Sequence, residues 1–229
     1  MKYLYFIVPL IILFSCTKKE NSQTKTQKQI LSENTIYNQS DYMKIDIHYA
    51  EGDFDGDGNK EKLVSFISDS TGKAIDSIPT GNDWGETLDY AFGIGLTTTI
   101  YIEGKKTDTL KLGTSMGLYC LINLGDMNND KKDEVILVAD WPDYSNLNTA
   151  RVYSLCDNKW KEIKTFGVNE GIAFDWEGDI RPTYKDIPGF LKHYKGKWVI
   201  ADYNDEDYNG QVENMKPLLI PNCNFSHKK

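Results

Sequence analysis

Residues 53–61 read DFDGDGNKE and place Asp53, Asp55, Asp57, Asn59 and Glu61 at every second position. In a tight loop these side chains turn inward together. Two carboxylates 4 Å apart near a protein surface repel by about 4 kcal/mol at an effective dielectric of 20. This loop gathers four of them, so it calls for a cation. Hard oxygen donors at positions 1, 3 and 5, a backbone carbonyl at 7 and a carboxylate at 9 form the pattern by which short loops wrap calcium. Gly56 and Gly58 allow the left-handed backbone that such a loop needs. Residues 126–134, DMNNDKKDE, repeat the scheme with Asp126, Asn128, Asp130, Lys132 through its carbonyl, and Glu134. This second loop has one carboxylate fewer at positions 1, 3 and 5. It also has Lys131 where the first has Gly58, so its turn is expected to be strained or altered and its calcium binding weaker. For both loops the alternative is a solvated acidic turn without metal.

The elements that must hold these loops are strands. From about Met43 the chain alternates short β-rich runs with Gly, Asn and Asp clusters, which predicts strands at 62–68, 95–103, 109–112, 118–124, 134–139, 151–155, 161–166 and 198–202. The run Val135-Ile136-Leu137-Val138-Ala139 is apolar throughout, as in a strand buried on both faces. No long amphipathic helix is expected; residues 186–194 predict one short helical turn. The expectation is a mainly β domain.

An EF-hand would need a bidentate Glu at position 12 between helices. That position holds Val64 in one loop and Leu137 in the other, both in predicted strands. The loops instead resemble the FG-GAP/VCBS repeats of integrin-type propellers, whose units read D-x-[DN]-x-D-G-x-x-[DE] before a strand such as Leu63-Val64-Ser65 or Val135-Ile136-Leu137. Downstream, Arg151-Val152-Tyr153-Ser154-Leu155 and Asn158-Lys159-Trp160-Lys161 resemble the next hairpin of such a unit. The resemblance covers two loops and their adjoining strands, and it implies calcium at each loop and propeller-type blades. The loops begin 73 residues apart, at 53 and 126. The nearest third copy, DYNDED at 202–207, lacks the glycines and the following apolar run. The chain is too short for a closed seven-bladed propeller, so the expected fold is a compact antiparallel β domain of two or three FG-GAP-like, propeller-blade units with short helical turns.

Other residues carry weaker signals. Trp84, Trp141 and Tyr144 fall in Gly-, Asn-, Asp- and Pro-rich stretches read as loops. There they would either stack on a sugar or anchor a protein partner, or else close over the ends of a small core. His48, His193 and His227 are scattered, and no nucleophile motif accompanies them, so no catalytic residue is assigned. Cys120, Cys156 and Cys223 permit one disulfide with one thiol left over, and the sequence does not choose the pair. The chain carries a net charge of −8. Lys2, residues 17–40 and residues 216–229 are net basic, so the intervening domain is more acidic still. Such a surface repels nucleic acid and favours divalent cations.

At the N-terminus, Lys2 precedes an uncharged run from Tyr3 to Ser15, too short to span a membrane and followed at once by Cys16, Thr17, Lys18 and Lys19. Leu13-Phe14-Ser15-Cys16 resembles the lipobox of bacterial lipoproteins. This implies a signal peptide at 1–15, lipidation of Cys16, a flexible tether over 16–40 and the folded domain over 41–229. An ordinary secretory signal with an incidental Cys16 is the alternative. Thr17 is not the Asp that marks inner-membrane retention in some double-membrane bacteria, so the expected location is the cell envelope, at the outer membrane. Two function classes follow. The favoured one is a non-enzymatic, calcium-binding interaction module with a protein or glycan ligand. The other is an envelope hydrolase acting on glycan or phosphate.

Overall fold

A computed structural model of the chain describes residues 42–105, 109–175 and 182–223. The expected signal peptide, Cys16, the tether and His227 lie outside the described residues. The architecture is mainly β and antiparallel. Two four-stranded sheets dominate it. The first joins β2 (Tyr49–Gly52), β3 (Glu61–Ser68), β5 (Thr97–Ile102) and β6 (Leu110–Lys111) in that spatial order; the second joins β7 (Leu118–Gly125), β8 (Glu134–Ala139), β9 (Leu147–Cys156) and β10 (Lys159–Asn169). The second sheet is an up-and-down meander, the first is antiparallel with a long excursion between β3 and β5, and in each an acidic nine-residue motif runs from the end of the first strand into the first residue of the second. The register repeats as well: Gly52 faces Glu61 across the first hairpin, and Gly125 faces Glu134 across the second.

The second sheet is central. β8 is buried at all six positions, and its alternating side chains divide between two cores. Ile136 and Val138 join Ile122, Val152 and Phe190 on one side; Val135, Leu137 and Ala139 join Leu63, Ile100 and Ile102 of the first sheet on the other. The expectation of a doubly buried strand at 134–139 is met. A third core, with Ile45, Ile67, Ile78, Ala91 and Met116, lies under β1 (Tyr42–Lys44), β4 (Ser77–Pro79) and α1 (Trp84–Ile94). After α2 (Glu170–Ala173), a three-stranded sheet of β11 (Leu191–Tyr194), β12 (Lys197–Ile200) and β13 (Lys216–Pro217) completes the order. Among the described residues no helix is long and apolar enough to cross a membrane.

Two sequence expectations need correction. Residues 84–94, where Trp84 is expected in a loop and no long helix is expected, form the eleven-residue helix α1. Its buried stripe is only Thr87, Leu88 and Ala91, and Trp84 and Phe92 point outward, so the apolar periodicity is nearly invisible. Caps supply the definition that periodicity lacks. Asp83 accepts from the Glu86 amide at 3.1 Å, Glu86 accepts from the Asn82 amide at 2.9 Å, and Gly95 closes the helix at φ 64°. The predicted helical turn at 186–194 is instead a tight turn bridging Ile187 to Leu191, followed directly by β11. Lys192, His193 and Tyr194 pair with β12, and ladder pairing overrides the local preference.

Candidate metal loops and an aromatic cleft

The two acidic loops are built alike. In the first, Asp53 accepts from the amides of Gly56 and Gly58, both at 2.9 Å, Asp55 from Asp57 at 3.2 Å, and Asp57 from Asn59 at 2.8 Å. Glu61 reaches back to the Phe54 amide at 2.9 Å. In the second, Asp126 accepts from Asp130 and Lys131, Asn128 from Asp130, Asp130 from Lys132, and Glu134 from Met127 at 2.8 Å. Four of these bonds repeat at an offset of 73 residues. The left-handed positions repeat too: Gly56 and Gly58 have φ 79° and 87°, and Asn129 and Lys131 have φ 61° and 72°. The turn expected to change at Lys131 therefore keeps its shape. A left-handed conformation costs an L-residue roughly 1–2 kcal/mol, and the pair of bonds to Asp126 offsets it.

The position-2 residue anchors each loop, a feature the carboxylate spacing did not reveal. Phe54 is fully buried with its ring centroid 6.4 Å from that of Trp160, and Met127 packs partly buried against the opposite core. The loops also touch each other. Asp133 donates its amide to the Asp53 carbonyl at 2.8 Å and accepts from the Asp53 amide at 3.1 Å, while Asn123 donates to Glu51 O and Asp133. A Cβ on Gly52 would crowd Asn123 Nδ2 and Asp133 Oδ2, so a side chain there would displace the groups that join the two loops.

What differs is what faces the second oxygen of each carboxylate. In the first loop Asp55 Oδ2, Asp57 Oδ2 and Glu61 Oε1 converge on the Lys105 ammonium at 2.6, 2.9 and 2.8 Å. Lys105 lies just beyond β5, and its hydrogen bonds to Asp55, Glu61 and Asp57 hold its pKa far above the ordinary lysine range. The same contact, together with the Asn59 amide, lowers that of Asp57. Ligand atoms of Asp53, Asp55, Asp57 and Glu61 all lie within 4.8 Å of one another; among the described residues no other carboxylates converge in this way. These hard oxygen donors could hold a metal ion, and the Lys105 ammonium now stands at their focus.

In the second loop the equivalent corner is closed. Asn128 Nδ2 donates to Glu134 Oε1 at 2.9 Å, and Asp130 Oδ2 lies 3.8 Å from Sγ of Cys223. Cys223 is disulfide-bonded to Cys156 at the end of β9, which selects one pairing from the open set and leaves Cys120 as a buried thiol. Burial pushes Glu134 up to about 7, against the lowering effect of the Met127 amide and the Ser154 hydroxyl. The Lys132 ammonium turns away to the Leu155 carbonyl at 2.8 Å. At 202–207 no comparable loop forms. Asp202 caps the amides of Gly167 and Asn204, and Asp205 pairs with Lys216.

The three aromatic residues singled out in the sequence come together. Trp84 opens α1, Trp141 and Tyr144 sit between β8 and β9, and all three line one cleft with Tyr119, Asp143 and Glu170. The Trp84 indole N–H donates to the Asp143 carbonyl at 2.7 Å. Glu170, on α2, accepts from Asn148 Nδ2 at 2.5 Å and from the Tyr119 hydroxyl at 3.1 Å. Burial raises its pKa, with Asp140 and Asp143 adding to the rise and the two hydrogen bonds opposing it.

That rise has a sign in stability. Between the ordinary value of 4.5 and the raised one, the folded protein binds more protons than the unfolded chain, so Glu170 destabilises increasingly as pH climbs through that window. Glu170→Gln removes the ionisation. The melting temperature of the variant relative to the parent should rise as pH climbs above the ordinary carboxylate value of 4.5. A difference independent of pH would show that the burial of Glu170 has no such consequence.

Comparison of the chain with protein-family models, with curated proteins and with solved structures finds no match in any of the three.

Proposed function

We propose that this protein is a lipid-anchored, exported envelope protein at the outer membrane, whose β domain is a non-enzymatic binding module stabilised by calcium. The two four-stranded sheets would be FG-GAP/VCBS-like blade units, and the first acidic loop would be the principal metal site. One observation carries the metal reading: three carboxylates each give one oxygen to a backbone amide and turn the other toward a single cationic point. Asp55, Asp57 and Glu61 would hold calcium there with Asp53 shaping the turn and Asn59 offering its carbonyl, once Lys105 swings out. In the second loop the Asn128 amide and the disulfide lie where the open oxygens would be, which argues for weaker binding through Asp126, Asp130, Glu134 and the Lys132 carbonyl. The Cys156–Cys223 bridge supports export, because disulfides persist in oxidising compartments.

Thermal unfolding of the protein in excess EDTA and then in calcium tests the metal. At about 100 times the dissociation constant, calcium should add about 2.7 kcal/mol and raise the midpoint by roughly 5–10 °C. The shift should vanish in Asp55→Asn/Asp57→Asn. Lys105→Gln, which removes the internal competitor, should reach half its shift at a lower calcium concentration than the parent. No shift in the parent or in Lys105→Gln would remove calcium from the reading.

A further inference from the structure

The cleft beside α1 has a volume of about 320 Å³, near the lower end of the roughly 300–1,000 Å³ typical of small-molecule sites. Trp84, Tyr119, Trp141 and Tyr144 supply its aromatic walls, and the carboxylates of Asp143 and Glu170 are its charged acceptors, beside the Ser145 hydroxyl and the Asn146 amide. Among the described residues lining it none is basic, so phosphate, sulfate and uronate find no counter-charge there. Both carboxylates are already partly compensated, Glu170 by Tyr119 and Asn148, and Asp143 by the Ser145 amide at 2.7 Å. They are suited to accept from hydroxyls rather than to wait for a cation. Two of the rings, Trp84 and Tyr119, are held before any ligand arrives. Trp84 spends its N–H on Asp143, which leaves the indole face available, and Tyr119 stacks on Phe174 with centroids 4.7 Å apart. Tyr144, 76% exposed, lies over the start of α1, where its hydroxyl would sit 3.2 Å from a Cβ on Gly85. An aromatic ring held by its polar edge, as Trp84 is, loses little freedom on binding. A cation would gain only about 0.5–1 kcal/mol from rings this exposed, whereas a pyranose presents flat C–H faces to the rings and hydroxyls to the acceptors.

We propose that this cleft binds a neutral glycan, with Trp84 and Tyr144 stacking on pyranose rings and Asp143 and Glu170 accepting from hydroxyls. The proposal deepens the binding-module reading and rests on it for its non-enzymatic character.

The test is tryptophan fluorescence of the full chain titrated to about 10 mM with cellotetraose, laminaritetraose, maltotetraose or chitotetraose, with tetramethylammonium chloride alongside. A saturable change with at least one tetrasaccharide is expected, weakened about tenfold or more by Tyr144→Ala, a substitution at an exposed ring that leaves the calcium-dependent midpoint unchanged. Saturation by tetramethylammonium and by no sugar overturns the proposal in favour of a cationic ligand, and no saturable change with any probe overturns it outright. Sugar binding that Tyr144→Ala and Trp84→Phe both leave intact overturns the assignment of this cleft. Release of new reducing ends from a bound tetrasaccharide upholds the glycan site but ends the non-enzymatic reading.

Discussion

Replacing Cys156 and Cys223 together by Ser is expected to cost the domain about 4 kcal/mol of folding stability, the chain-entropy value for closing a loop of this length. The two cysteines are 67 residues apart, and the segment between them contains β10, α2 and the whole three-stranded sheet. That region is otherwise tied down modestly. β13 contributes two residue pairs to its sheet, and Leu218 is the one buried apolar side chain between β13 and Cys223. Loss of the bridge therefore enlarges the unfolded ensemble and also frees the last residues of the described chain in the folded state. Urea unfolding of the parent, with and without reductant, should show a large drop in midpoint that the double variant reproduces and that reductant does not deepen. Cys120→Ser is the control, since that thiol is buried, with its pKa pushed up to about 12, and has no part in the bridge. A loss below about 1 kcal/mol would mean that the loop is already ordered in the unfolded chain. A further consequence sits at the second acidic loop. Cys223 Sγ lies beside Asp130 and Ser154, so the reduced protein should also open that corner to water.

The contrast between the two loops separates what the sequence discloses from what it withholds. Ligand spacing is local: five oxygen-bearing residues at alternate positions declare a turn whose internal bonds close within five to seven residues of one another. The strands that follow are equally plain, because Val135 to Ala139 admits little besides a doubly buried strand. The groups that decide the character of each loop are remote. Lys105 sits 44 residues beyond Glu61 and reaches the first loop only because β5 pairs beside β3. Cys223 reaches the second loop from 93 residues beyond Asp130. Neither carries a local signal, so the sequence ranks the second loop the weaker on its missing carboxylate and on Lys131, without showing that one loop is focused on a cationic point and the other is closed. α1 was hidden for a different reason. Its information lies in Asp83, Glu86 and Gly95 at its ends, and its exposed face carries the aromatic Trp84 that a packing argument would have turned inward. The cleft was half legible: the three rings could be named, but their convergence depends on α1 and on the β8–β9 connection meeting in space.

Phe54→Ala should be the most disruptive single change at the first loop, destabilising the domain by roughly 3–5 kcal/mol. The side chain is fully buried between Asp53 and Asp55, within a core that includes Leu63, Ile100, Leu137 and Trp160. Its backbone amide is the donor that holds Glu61 in place. Truncation would leave a cavity between the two sheets and slacken the one residue that fixes the loop to the core. The same substitution at Met127 should cost less, because that side chain is only partly buried. Urea unfolding in excess EDTA isolates the packing effect from any metal. Repeating it with calcium then asks whether the loop still assembles. If position 2 anchors the ligands, the calcium-dependent gain should shrink in Phe54→Ala although every carboxylate remains. A loss below about 1 kcal/mol would place the anchor elsewhere. Full retention of the calcium gain alongside a large loss in EDTA would show that the carboxylates organise themselves around the ion without help from the core.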